Sequence, residues 1–168
     1  MIYDLFPILR QTQIILGSQS CRRQEVLLKS GIKFEVLPSR FPEDLDKASY
    51  LNKPDHYVLD NSKFKADDLL DQLNTKKPNA HRLIITADTV AYLDGNIVEK
   101  PLDSSDAFSI LRRLSGREHS IFTGVSLYYN EQLNSDIKKV CFVEETKVKF
   151  ANLTDSEIEA YVHTGEPL

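Results

Sequence analysis

An apolar segment that breaks into a glycine and small polar residues constrains how this chain begins to fold. It reads Ile15-Leu16-Gly17-Ser18-Gln19-Ser20-Cys21-Arg22-Arg23, and the residues that follow have helical spacing. This pattern predicts a strand, a tight loop and a helix whose N-cap is Ser20. Arg22 and Arg23 would then lie in the first helical turn, where the backbone already presents positive potential. Two cations in that position predict a bound anion, and a loop of this kind suits phosphate.

The composition is that of one globular domain. With 168 residues, the chain is long enough to bury a core without disulfide or metal staples. The net charge of -4 argues against a nucleic-acid-binding surface, so the arginine pair points to a small anion. Cys21 and Cys141 are too few for a disulfide framework, which indicates reduced thiols in a cytoplasmic protein. The apolar residues 1–10 lack a preceding basic region, so no targeting or membrane segment is predicted.

Strands alternate with helices along the chain, which predicts a mixed α/β sheet. After the first strand and helix, further strands are predicted at 34–38, 83–93, 96–100, 119–129 and 140–150. Helices are predicted from about 54 to 73, from a cap at Ser104 or Ser105 to Gly116, and from the capping box at Thr154 to Gly165. Polar loops are predicted at 38–50, 75–79 and 130–136.

Asp88 lies in an apolar, β-branched run, Ile84-Ile85-Thr86-Ala87-Asp88-Thr89-Val90. A carboxylate there is costly unless it is paired, hydrogen-bonded or bound to a cation. The alternative is a surface-facing position on an edge strand. Asp94-Gly95 predicts a type I′ hairpin turn, and its register would place Thr89 opposite Lys100. A carboxylate and a lysine would then meet at the open end of one hairpin.

Three further side chains allow both a functional and a structural interpretation. Lys65 falls within the apolar stripe of the long helix, where it either extends to solvent or joins a site. Glu43 lies in a polar loop, where acidic residues are usually solvated, and His119 is expected to pack or hydrogen-bond rather than to catalyse. Together, the cations, the two carboxylates and the Gly/Ser loop are the parts that metal-assisted chemistry on a polyphosphate requires.

Six segments follow one another along the chain in a specific order. They are Gly17-Ser18-Gln19-Ser20-Cys21-Arg22-Arg23-Gln24-Glu25, Lys65-Ala66, Ala87-Asp88-Thr89-Val90, Glu99-Lys100-Pro101, Leu114-Ser115-Gly116-Arg117-Glu118-His119 and Thr123-Gly124. In these motifs and their order, the chain resembles the Maf-type nucleotide pyrophosphatases, which are relatives of the inosine triphosphate pyrophosphatases. The resemblance extends from residue 14 to residue 168. The similarity is greatest to the eukaryotic branch of that family.

The resemblance implies an α/β fold like that of inosine triphosphate pyrophosphatase, a mixed twisted sheet flanked by helices with a central cleft. It implies a single domain over 1–168 that lacks the family's C-terminal segment. The implied activity is hydrolysis of nucleoside triphosphates to monophosphate and diphosphate with Mg²⁺ or Mn²⁺, which clears unwanted nucleotides. The implied assembly is a cytoplasmic homodimer. A nucleotide-binding or interaction domain with impaired catalysis is the alternative.

Site residues follow from the resemblance position by position. The general base falls on Asp88, and the carboxylates that hold the metal fall on Glu43 and Asp88. The residues that would contact the triphosphate are Ser18, Arg22, Arg23, Lys65 and Lys100. Arg22 and Thr89 match the family pattern for dTTP and UTP rather than methylated guanine nucleotides. A dinucleotide-dependent oxidoreductase is disfavoured, because the first strand is not followed by G-x-G-x-x-G.

Overall fold

The structure is a computed structural model that describes residues 2–76, 81–130 and 136–167. The loop predicted at 75–79 and the turn predicted at 130–136 lie largely outside these residues. Within the described ranges, no helix has the length and apolar character needed to cross a membrane.

The described residues form five α-helices and six strands, with short 3₁₀ helices at Ile2–Leu5 and Lys47–Tyr50. The helices are α1 (Phe6–Leu9), α2 (Cys21–Lys29), α3 (Pro54–Lys76), α4 (Ser104–Leu114) and α5 (Asp155–His163). The strands are β1 (Gln13–Leu16), β2 (Glu35–Val36), β3 (Arg82–Leu93), β4 (Asn96–Val98), β5 (Glu118–Tyr129) and β6 (Lys138–Lys149).

The strands pair in one sheet of order β2-β1-β3-β5-β6, with β4 beside β3. Strand β1 is parallel to both β2 and β3, whereas β3 and β4 are antiparallel. Both pairing directions therefore occur, and the predicted mixed α/β sheet is confirmed.

The chain divides into two compact units. The first consists of Met1–Leu45, Val58–Asp88 and Gly124–Val143, and the second of Asp46–Tyr57, Thr89–Thr123 and Glu144–Leu168. In the first unit, side chains of α3 pack on β1, β3 and β5 through Ile15, Ala66, Leu69, Leu73, Ile84 and Tyr128. In the second unit, α4 and α5 pack on each other through Ala107, Leu111, Ile158 and Val162. The single domain predicted over 1–168 stays a prediction.

One turn and one helix cap form as the sequence predicts. Asp94 and Gly95 have φ angles of 51° and 80°, as a type I′ turn requires, so the predicted hairpin is confirmed. Thr154 accepts a hydrogen bond from the Glu157 backbone N–H, and the Glu157 side chain accepts from the Thr154 N–H. The predicted capping box therefore forms as expected.

Other details differ from the sequence-based expectation. Strand β4 ends at Val98, so the ladder stops at the Ala91–Val98 pair and does not reach Thr89 and Lys100. The strand cannot extend far, because Pro101 has no N–H to donate. Helix α4 is capped by Asp103 rather than by a serine, since this carboxylate accepts from the Asp106 N–H at 2.8 Å.

Candidate active site

Lys65 lies between two carboxylates of the first unit. Helix α3 buries it to 6% exposure, so the interpretation in which it extends to solvent is wrong. Its Nζ lies 2.6 Å from Oε2 of Glu43 and 2.9 Å from Oδ1 of Asp88. A buried ammonium is costly unless it is paired, and these two carboxylates supply the pairing. One nitrogen thus holds a carboxylate from a loop beside a carboxylate from β3.

Asp88 is placed by the middle of β3, an interior strand in the order β1-β3-β5. Its side chain is 13% exposed. The alternative of a surface-facing aspartate on an edge strand is therefore wrong. The apolar neighbours of Asp88 in the sequence hold the strand in the core and present this carboxylate at a nearly buried position.

Glu43 reaches Lys65 from an irregular loop. Its φ of 56° lies in the left-handed region, which is uncommon for residues other than glycine and costs about 1 kcal/mol. The side chain is 53% exposed, yet its carboxylate faces the Lys65 ammonium. Glu43 is therefore an ion-pair partner of the buried Lys65 and not simply a solvated loop residue.

The loop between β1 and α2 is organised by a serine hydroxyl. Ser18 is 7% exposed, and its Oγ accepts hydrogen bonds from the Ser20 N–H and from Nη1 of Arg23, each at 3.2 Å. Ser20 is the N-cap residue of α2, but its side chain makes no capping hydrogen bond. The hydroxyl two residues earlier shapes the turn instead, and it draws Arg23 back towards the loop.

Arg23 lies within the electrostatic field of both carboxylates. Burial lowers the pKa of its guanidinium, while the charges of Asp88 and Glu43 act in the opposite direction. Arg22, in the same helical turn, is exposed. The two predicted arginines therefore differ in environment, because Arg23 is partly buried in the field of the two carboxylates whereas Arg22 is exposed.

Gly17 leaves no room for a side chain at the start of this loop. A Cβ built there would lie 2.4 Å from a Leu69 methyl and 2.7 Å from the Thr86 methyl. Its N–H donates to the Ile85 carbonyl at 2.8 Å, which extends the β1–β3 pairing by one residue. The glycine thus lets the loop leave the sheet directly above the core.

Among the predicted site residues, the first unit brings together Ser18, Arg23, Glu43, Lys65 and Asp88. Thr89 and Lys100 belong to the second unit. Thr89 hydrogen-bonds Thr123 through their hydroxyls at 3.1 Å, and Lys100 is exposed just beyond β4. His119 packs its ring edge-on against Phe150 at 5.0 Å, which confirms the structural interpretation of that histidine.

Asp68 is a residue that the sequence analysis missed. Its Oδ2 accepts hydrogen bonds from Ser39 Oγ at 2.8 Å, the Arg40 N–H at 2.7 Å and Gln72 Nε2 at 2.8 Å. Burial acts to raise the pKa of Asp68, but these hydrogen bonds outweigh it, and the pKa lies below its ordinary value. Its position three residues after Lys65 could have indicated this role, because residues three apart are neighbours on the surface of a helix.

A second missed cluster lies in the second unit. The buried phenol of Tyr57 donates to Oε1 of Glu99, and Lys47 forms an ion pair with the same carboxylate. Glu99 directly precedes Lys100 in the sequence. The side chain of Glu99 is therefore held by two partners where the chain leaves the β3–β4 hairpin.

Comparison with known proteins identifies the family. Residues 13–168 match the family model described as Maf-like protein. The chain belongs to this family. The match covers every element from β1 onwards, and it confirms the resemblance seen in the motifs and the fold class that the resemblance implied.

Curated relatives of this Maf-like chain have names that describe pyrophosphatases. A human protein named "Probable bifunctional dTTP/UTP pyrophosphatase/methyltransferase protein" is 44% identical over 160 residues, 93% of this chain and 25% of that protein. A Dictyostelium discoideum "Nucleoside triphosphate pyrophosphatase" is 39% identical over 171 residues, 100% of this chain and 77% of that protein. A Carboxydothermus hydrogenoformans "dTTP/UTP pyrophosphatase" is 37% identical over 155 residues, 92% of this chain and 76% of that protein. The chain thus spans a quarter of the human relative and about three quarters of the other two.

Proposed function

We propose that this chain hydrolyses nucleoside triphosphates to nucleoside monophosphate and diphosphate, and so removes unwanted nucleotides. The observation that carries the proposal is the Lys65 ammonium, which holds the carboxylates of Glu43 and Asp88 at 2.6 and 2.9 Å from one nitrogen. The names of the Dictyostelium and Carboxydothermus relatives support the same class of reaction. The substrates we propose are dTTP, UTP and modified pyrimidine nucleotides.

The two carboxylates fit a divalent cation such as Mg²⁺ or Mn²⁺. Mg²⁺ is commonly bound by one or two carboxylates together with substrate phosphates, and Glu43 and Asp88 supply such oxygen donors. No group of three or more His, Cys, Asp or Glu residues suited to a metal occurs in the described ranges. Phosphate oxygens and water would therefore complete the coordination. When bound, the ion neutralises phosphate charge and polarises the phosphoryl group.

The remaining steps belong to the side chains of the chain itself. Asp88 accepts a proton from the attacking water as the new phosphorus–oxygen bond forms and the bond to diphosphate breaks. Arg23 and Lys65 stabilise the charge that develops on the leaving diphosphate, and Ser18 orients Arg23 through its hydroxyl. We assign phosphate contact to Arg22 and Lys100 by the family resemblance, and pyrimidine preference to Arg22 and Thr89.

The family resemblance also implies a cytoplasmic homodimer. The free thiols of Cys21 and Cys141 accord with a reducing compartment, and the net charge of -4 disfavours nucleic acid as a partner. Sedimentation of the purified chain measures its mass in solution directly. A monomeric mass at all concentrations would contradict the dimer.

The activity is tested by diphosphate release from a panel of nucleoside triphosphates, with Mg²⁺ and with a chelator. We expect release that depends on Mg²⁺ and is fastest with dTTP and UTP. The chelator provides the control for metal dependence. Nucleotide binding without release from any nucleotide would contradict the proposal and favour the alternative of a binding domain.

Arg23→Ala is expected to lower kcat/KM for the preferred nucleotide by about 100-fold, the loss typical when one donor to a developing anion is removed. The reason is that Arg23 lies in the field of both carboxylates and is drawn to the loop by Ser18. Steady-state diphosphate release measures the effect. Lys29→Ala is the matched control, because Lys29 lies at the far end of the same helix and pairs with Glu25 in solvent. An equal loss in both variants would contradict a specific role for Arg23.

A further inference from the structure

We propose that Asp68 is a positioning residue, which ties the loop that carries Glu43 to helix α3 and so holds the Glu43 carboxylate in place for a divalent cation. The inference rests on the proposed function, since it gives Asp68 its role in the binding of the metal for that reaction. The Asp68 carboxylate accepts its hydrogen bonds from Ser39, Arg40 and Gln72, and not from Lys65. Its effect would pass through the loop backbone.

Glu43 needs such support because of the segment that bears it. Residues 37–46 contain neither helix nor strand. The Glu43 backbone has a φ of 56°, a conformation that persists in a non-glycine residue only when its surroundings enforce it. Its ion pair with Lys65 is half exposed on the glutamate side, and such pairs contribute little to ordering a loop. Other contacts must therefore hold the segment.

Asp68 connects this loop to α3 through hydrogen bonds. The carboxylate accepts hydrogen bonds from the Ser39 hydroxyl and from the Arg40 backbone N–H, so it binds both a side chain and the main chain of the loop. The Ser39 hydroxyl in turn accepts from the Phe41 N–H at 3.0 Å. The Phe41 ring packs against Phe64 of α3 with centroids 5.3 Å apart. This continuous set of contacts ends two residues before Glu43.

Both partners of the ion pair are thereby positioned by the same helix. Phe64, Lys65 and Asp68 lie within little more than one turn of α3. The helix buries Lys65 and at the same time fixes the loop that carries Glu43. Groups that orient a ligand of a metal commonly change metal affinity by about 10-fold or more when removed, although they never touch the metal. Asp68 has the geometry expected of such a group.

The test compares Asp68→Ala and Asp68→Asn with Asp71→Ala, an exposed aspartate one turn further along α3. Mn²⁺ binding to each protein is measured by the loss of the free-ion paramagnetic resonance signal, and amide hydrogen exchange is measured in residues 37–46. We expect about 10-fold weaker Mn²⁺ binding and faster exchange in Asp68→Ala, and unchanged values in Asp71→Ala. Asp68→Asn should fall between, because an amide oxygen can still accept hydrogen bonds from the loop without the charge.

The metal dependence of turnover provides a separate measurement. We expect the Mg²⁺ concentration for half-maximal rate to rise about 10-fold in Asp68→Ala, while kcat at saturating Mg²⁺ stays within about twofold. A purely structural role would lower kcat and thermal stability without this split. Unchanged Mn²⁺ binding in both Asp68 variants would overturn the inference and leave the proposed function standing. A wild-type chain that hydrolyses no nucleotide would overturn the proposed function, while the Mn²⁺ and exchange measurements still decide the role of Asp68.

Discussion

Asp88→Asn is expected to lower kcat for nucleotide hydrolysis by about 1000-fold or more, while nucleotide binding stays measurable. Asparagine has the shape of aspartate but cannot accept the proton of the attacking water, and it is a weaker ligand for a divalent cation. The buried Lys65 keeps Glu43 as a charged partner in this variant, so the unit should still fold. Diphosphate release measures the loss, and calorimetric titration with the nucleotide measures the retained binding.

The control for this prediction is Asp60→Asn, which neutralises a partly exposed carboxylate of α3 that pairs with Lys63 at 3.5 Å. We expect this variant to keep wild-type kcat. Full activity in Asp88→Asn would remove Asp88 from the catalytic role. Loss of nucleotide binding together with turnover would instead indicate that the carboxylate mainly organises the site.

Gly124→Ala is expected to reduce the free energy of unfolding by about 3–5 kcal/mol, above the usual range for an overpacked core. A Cβ at residue 124 would lie 2.4 Å from the Val58 carbonyl oxygen, 2.5 Å from its carbon and 2.7 Å from the Leu59 nitrogen. These are backbone atoms of α3, so the clash cannot be relieved by a side-chain rotation. The helix would have to move off β5, and it carries Lys65 with it. Thermal unfolding should shift down by about 10 °C.

Gly165→Ala is the matched control for this stability prediction. Gly165 has a φ of 73°, and a methyl group attached to its Cα would meet no atom of the described residues within 4 Å, so only backbone strain is introduced there. We expect a loss of about 1 kcal/mol in that variant. Equal losses in the two variants would contradict the close approach of α3 to β5.

Much of the fold follows from local patterns in the sequence. The type I′ turn at Asp94-Gly95 and the capping box at Thr154 form as predicted, because each depends on residues adjacent in the chain. Ser20 is the N-cap residue of α2 as predicted, but the lack of a capping hydrogen bond from its side chain and the capping of α4 by Asp103 were less predictable. Several hydroxyl and carboxyl groups compete for the same N–H groups at a helix start, and small differences in backbone geometry decide which one accepts. The early end of β4 has a similar local origin in Pro101.

Only part of the candidate site could be predicted from such local patterns. The sequence supplied the residue types and, through motif order, the positions of Ser18, Arg23, Lys65 and Asp88. It left open whether Lys65 reached solvent and whether Asp88 lay on an edge strand. Both alternatives depend on which elements cover a residue, and neither periodicity nor spacing contains that information. Asp68 was missed because an acidic residue on a helix looks the same in sequence whether or not a loop lies over it.

By itself, the sequence determined the order of the α-helices and strands from β1 onwards, the hairpin turn, the types of charged and polar residues available for a site, and the family motifs. Each of these depends on neighbours within a few positions or on motif order. Only the tertiary structure decided that Glu43 and Asp88 share one ammonium and that Asp68 holds the loop of Glu43. The Lys65–Asp88 contact spans 23 residues and the Asp68–Ser39 contact spans 29. Contacts at such separations arise from the burial of whole elements, because the packing of α3 on the sheet brings these groups together.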